Sequence, residues 1–116
     1  MLRCWGTGGH GLIGSGNTAT IGDDETPDVL PSVAIGGSVS EISVSWYSSC
    51  ALLDSDKLRC FGSGGYGQLG YGNTQDIGDD EAPATAGDVQ VGGKVKQIAA
   101  GPDHTCVVLT NGKVRC

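Results

Sequence analysis

A chain of 116 residues with 13 acidic against 7 basic side chains carries a formal charge of −6, a balance that repels nucleic-acid phosphates and anionic lipid. Only 5% of the residues are aromatic and 38% hydrophobic while 21 are glycine, which excludes long helices and favours short strands joined by tight turns. No apolar run approaches the roughly 18 residues of a membrane span, and Met1 to Gly6 has no signal-peptide core, so any export signal is expected upstream.

In chain order, Met1 to Trp5 reads as a strand, followed by the glycine-rich run Gly6-Thr7-Gly8-Gly9-His10-Gly11 and the turn segment Ile21-Gly22-Asp23-Asp24-Glu25. A short strand is expected at Val33-Ala34-Ile35, ending at Gly36-Gly37, then longer ones at 39–44 and from Cys50 to Leu53. Asp54-Ser55-Asp56 forms the next turn and Leu58 to Phe61 the returning strand. From there the order starts again. Arg3-Cys4 recurs as Arg59-Cys60 and Arg115-Cys116, a uniform step of 56, and residues 2–57 align with 58–113 without a gap at 25 identical positions. The expected elements of the second copy are Val89-Gln90-Val91, 95–100 and Cys106 to Leu109. Thr110-Asn111-Gly112 is their hairpin loop, with glycine in the left-handed position that Asp56 fills in the first copy.

A unit of this length with several short strands has to bury its faces against neighbouring units, as propeller blades do. The expected fold is all-β: four-stranded antiparallel blades in a single segment, 1–116, with repeats at 2–57 and 58–113 and a third beginning at 114–116. This phase starts the chain in mid-blade. The exposed blade edges that follow would favour association with further copies of the chain or with further blades of a longer ring.

The run from Cys60 to Gly72, CFGSGGYGQLGYG, followed by His104-Thr105-Cys106, resembles the repeat of the regulator of chromosome condensation family. The resemblance covers the whole chain and implies a β-propeller, usually of seven blades. Members include an exchange factor for a small GTPase, a plant light receptor and a secreted bacterial inhibitor of β-lactamases, so fold transfers and function does not. The cysteines together with Ile-Gly-Asp-Asp-Glu look most like the bacterial, extracytoplasmic branch.

Cys50 and Cys60 are symmetric about Ser55, and Cys106 and Cys116 about Asn111. Directly opposed residues of an antiparallel pair lie about 4.5–5.5 Å apart, within disulfide range, so these two pairings are expected and Cys4 is left unpaired. Reduced cysteines serving as small core residues are the alternative. Disulfides would place the protein outside the cytoplasm.

The glycine-rich runs open no helix, so turn formation accounts for them better than phosphate binding. Asp23, Asp24 and Glu25, with Asp79, Asp80 and Glu81, offer oxygen ligands for calcium but lack the alternating spacing of a calcium loop. Turn capping is the expected role, and no cofactor is implied. His104 has Ser48 at the equivalent position, and no nucleophile, base or paired carboxylates fall at a catalytic spacing, so no enzyme is expected. Where the copies diverge, Ser45-Trp46-Tyr47-Ser48 stands where the other copy has Gly101-Pro102-Asp103-His104. Trp46 and Tyr47, extended by Tyr66, Tyr71 and His10, are the expected contact residues for a protein or glycan ligand. The competing expectation is a purely structural repeat, with nucleotide exchange on a small GTPase a distant third.

Overall fold

The computed structural model describes residues 1–116 and contains two antiparallel three-stranded sheets. The first is ordered β1 (Val39–Val44), β2 (Ser48–Leu53), β3 (Leu58–Gly62). The second repeats it with β4 (Val95–Ala100), β5 (Thr105–Leu109) and β6 (Val114–Arg115). Equivalent registers, Val39 opposite Leu53 and Val95 opposite Leu109, show that the 56-residue period is a structural period. Both first pairings carry an irregularity one residue in, between Val39 and Glu41 and between Val95 and Gln97.

The sheets stack face to face, and alternation along β2 makes the stack. Cys50 and Leu52 point one way and join Leu58, Cys60, Val95, Ile98, Val107 and Leu109 in the layer between the sheets. Ala51 and Leu53 point the other way, where Ile35 and Phe61 complete a second layer against Leu2, Cys4 and Val33. All six residues of β2 are therefore buried, as a central strand covered on both faces requires. Phe61 is wholly buried, and a Cβ on Gly14 would stand 3.0 Å from its ring. Its counterpart Trp5 is 62% exposed.

The hairpin loops fold as their residues dictate. Asp56 takes φ +64° and Gly112 φ +85°, both in the left-handed region that aspartate tolerates and glycine adopts freely. The glycine-rich runs become compact loops closed by the bridges Gly6–Ile21 and Gly62–Ile77. At Gly64 a side chain would collide with the Gln75 carbonyl, so close approach of backbone demands glycine there.

The fourth strand is a correction. Val33–Ile35 and Val89–Val91 form no ladder: one backbone bond joins the first to residues 2–5, Val33 N–H to Leu2 O (2.8 Å), and one joins the second to β3, Val89 N–H to Leu58 O (2.8 Å), while Ala34 O accepts from Ala84 N–H (2.9 Å) of the next repeat. Gly36 and Gly92, both at φ +85°, turn the chain toward the next sheet before a second pair can form. Met1 to Trp5 likewise makes only isolated bonds and no regular strand. No helix is long and apolar enough to cross a membrane.

Candidate interaction face

The turn between β1 and β2 is built around one hydroxyl. Ser45 N–H donates to Ser48 O (2.8 Å), while Ser45 Oγ contacts Ser48 Oγ (2.9 Å) and accepts from Ser48 N–H (3.2 Å). Ser48 is buried, so the turn is anchored in the blade. Its two tip residues point out: Trp46 is 73% exposed and Tyr47 47%, with Val44 beside them also exposed. Tyr47 O accepts from Ser63 N–H (2.7 Å), which fixes the tip to the end of β3. An exposed aromatic pair on a backbone pinned at both sides loses little freedom on binding.

Hydrogen bonds continue from there across the same end of the molecule. Gly64 N–H donates to Asp76 Oδ1 (3.0 Å), and Asp76 Oδ2 meets His10 Nδ1 at 2.9 Å, so a carboxylate of the second repeat ties down a loop of the first. Burial pushes the Asp76 carboxyl up, but the Gly64 N–H and His10 bonds together outweigh it and hold the group below the usual carboxylate range. His10 sits at φ +59°, an uncommon conformation for a residue with a Cβ. The equivalent positions are Tyr66 and Thr20, so this latch occurs once.

Tyr66 is 78% exposed and borders a cleft of about 560 Å³ with Gln68, Asp103, His104 and Thr105. Thr105 Oγ1 donates to Gln68 O (3.0 Å), which ties this cleft to the base of the β4–β5 turn. Tyr71 departs from the expected patch. Its hydroxyl accepts from Cys60 N–H (3.2 Å) and donates to Gly87 O (3.0 Å), and the ring packs on the core between the sheets. Tyr71 braces the fold, and burial raises its pKa. The expected set thus divides into an exposed group, Trp46, Tyr47, Tyr66 and His10, and one inward residue.

The cysteines pair as expected, Cys50 with Cys60 and Cys106 with Cys116, each with Cα atoms 4.1 Å apart, and Cys4 is free. Burial raises the Cys4 thiol pKa, so at neutral pH it is a thiol rather than a reactive thiolate. Both acidic triads gather their carboxylate oxygens within 4.8 Å. In each, the glutamate folds back onto the turn: Glu25 Oε1 accepts from Gly22 N–H (3.4 Å) and Glu81 Oε1 from Gly78 N–H (3.1 Å). Contact with Asp24 raises the Glu25 pKa; burial, then contact with Asp80, raises that of Glu81. Glu25 Oε2 is enclosed and meets no donor.

Sequence reasoning missed one polar cluster. Arg59 Nε donates to Asp88 Oδ1 (2.9 Å), Arg59 Nη1 to Ile35 O (2.7 Å), and Lys57 Nζ lies 3.2 Å from Asp88 Oδ2. The hydrogen bond from Arg59 is the main reason the Asp88 pKa is lowered. Ser32 stands at the equivalent of Asp88, so the repeat gives no hint of it.

Face-to-face sheets, each repeat covering the next, with divergent aromatic turns gathered at one end, define a segment of a repeat propeller. Residues 39–68 and 95–116 match the regulator of chromosome condensation (RCC1) repeat. Human E3 ubiquitin-protein ligase HERC2 is 29% identical over 112 residues, 95% of this chain and 2% of that protein; the mouse protein matches equally. Among solved structures, human WBSCR16 superposes with a TM-score of 0.66 at 18% identity, over 93% of this chain and 26% of that one. Prp20p from Saccharomyces cerevisiae gives 0.66 at 18%, over 95% and 27%. At such identity the likeness shows the fold alone.

Proposed function

We propose that this chain is a non-catalytic, protein-binding propeller segment that works outside the cytoplasm, with the β1–β2 turn as its principal contact. The observation that carries the reading is Trp46, 73% exposed on a turn pinned by Ser45, Ser48 and Ser63, where the other repeat has Pro102. Tryptophan and tyrosine dominate interface hot spots when held in place by their surroundings. Yeast RCC1 (Prp20) is known with Kap60 bound, and Prp20p has been described with its binding to Gsp1p and histones, which supports a protein ligand for a fold of this kind. Two short-range disulfides support an oxidising compartment.

The test is capture of partners by the immobilised, oxidised chain and by its Trp46→Ala/Tyr47→Ala variant, with equal melting temperatures confirmed first. A partner retained by the parent and lost by the variant supports the reading. Equal retention by both removes the turn from the interface. Retention of glycans alone would replace protein by carbohydrate, and accelerated nucleotide release from a small GTPase would replace passive binding by exchange.

A further inference from the structure

The turn bearing Trp46 and Tyr47 lies at one end of the sheets, and charge is divided between the two ends. Lys57 and Lys113 sit in the β2–β3 and β5–β6 turns at the far end, and Lys94 and Lys96 flank the start of β4 beside them. Thr110 N–H bonds Lys94 O (2.9 Å), which confirms that placement. Arg59 shares Asp88 with Lys57, and the Arg115 guanidinium stands 3.2 Å from where a Cβ of Gly92 would be, so both lean the same way. Arg3, in the equivalent position, is spent on the Pro27 and Leu30 carbonyls. The aromatic end has none of the chain's lysines, and its one arginine neighbour is Arg115, which lines the cleft bordered by Tyr66 and Asp103. It holds Asp76, kept ionised by its bonds, and Asp103, exposed in the β4–β5 turn that matches the Trp46 turn. Asp79 and Asp80 follow directly on the Gly62–Ile77 bridge at this end.

From this juxtaposition we propose that the occupant of the aromatic end is a basic protein segment, whose lysine or arginine side chains lie on Trp46 and Tyr47 and face the carboxylates of Asp76 and Asp103. The proposal rests on the reading of the turn as a contact surface and adds the chemistry of the partner. An indole face attracts a guanidinium or ammonium within about 6 Å of its centre. Asp103, exposed, and Asp76, which already holds His10 and Gly64 N–H, add complementary potential, which steers association and weakens with salt.

Three 12-residue peptides, alternating arginine, glutamate or glutamine with serine, serve as probes against the full, oxidised, isotopically labelled chain. The arginine peptide is expected to shift amide resonances of residues 45–47, 63–64 and 103, with affinity falling at least fivefold between about 50 and 200 mM salt. Trp46→Ala and Asp103→Asn, at exposed positions, should each weaken it severalfold, whereas Asp54→Asn at the far end should not. Equal shifts with the glutamine peptide, or shifts concentrated at residues 54–57, overturn the proposal. If the glutamine peptide binds and Trp46→Ala abolishes that binding, basic chemistry falls while the contact turn stands. If none of the peptides moves residues 45–47 and partner capture is unaffected by Trp46→Ala, both fall.

Discussion

Two disulfides with the same separation of 10 residues close loops of equal size, so a chain-entropy account gives both about 2.5–3 kcal/mol. Their surroundings differ. Cys50 and Cys60 are buried in the layer between the sheets, whereas Cys116 is exposed. Replacing Cys50 and Cys60 by alanine should therefore cost more than replacing Cys106 and Cys116, by about 1 kcal/mol or more in chemical denaturation, because a cavity is added to the lost cross-link. Asp88 makes a prediction of opposite visibility. Its folded pKa is lowered, so its contribution is present above the unfolded carboxylate value of about 3.9 and disappears as pH falls through the folded value. Asp88→Asn should cost about 1 kcal/mol at pH 7 and progressively less as pH falls below the unfolded carboxylate value of about 3.9, measured by melting across that range. Glu81, with a raised pKa, works the other way: stability present below about pH 4.3 is lost as pH rises through its folded value. The cysteine pairs were legible because hairpin symmetry is local. The Arg59–Asp88 and His10–Asp76 pairs were not, since they join residues 29 and 66 positions apart and have no counterpart in the other repeat.

At the scale of elements, periodicity read the three strands and their turns, down to the positive φ of Asp56. It failed at 33–35 and 89–91, where short runs rich in β-branched apolar residues met the condition for a strand but the chain leaves after one bond to its neighbour. A ladder needs two partners in register over several residues, and that is decided by the glycine turns on either side. The contact turn depends on Ser45 in a way no strand pattern shows. Ser45→Ala removes the acceptor of Ser48 N–H and should cost about 1 kcal/mol. Amide exchange at residues 46–48 should quicken while the Cys50–Cys60 hairpin keeps its protection; unchanged exchange would show that the two backbone bonds, Ser45 N–H to Ser48 O and Ser63 N–H to Tyr47 O, hold the tip without the hydroxyl.

At the scale of the molecule, each repeat covers the next, and this junction makes the two repeats one body: Phe61 sits against Gly14, and Ser43 Oγ accepts from Ala100 N–H (3.0 Å) of the following sheet. The acidic triads serve that frame as turn caps through Glu25 and Glu81, so calcium and a chelator should leave the melting temperature nearly unchanged. A site filled at 100 times its dissociation constant would add about 2.7 kcal/mol and raise it by several degrees. The aromatic end is the proposed working surface of the molecule. Its most direct test is an amide-exchange footprint of the oxidised chain bound to a captured protein partner. Protection gathered at residues 45–47, 63–64 and 103–104 is the predicted result; protection centred on the far-end turns, 54–57 and 110–113, with residues 45–47 unchanged, would contradict it.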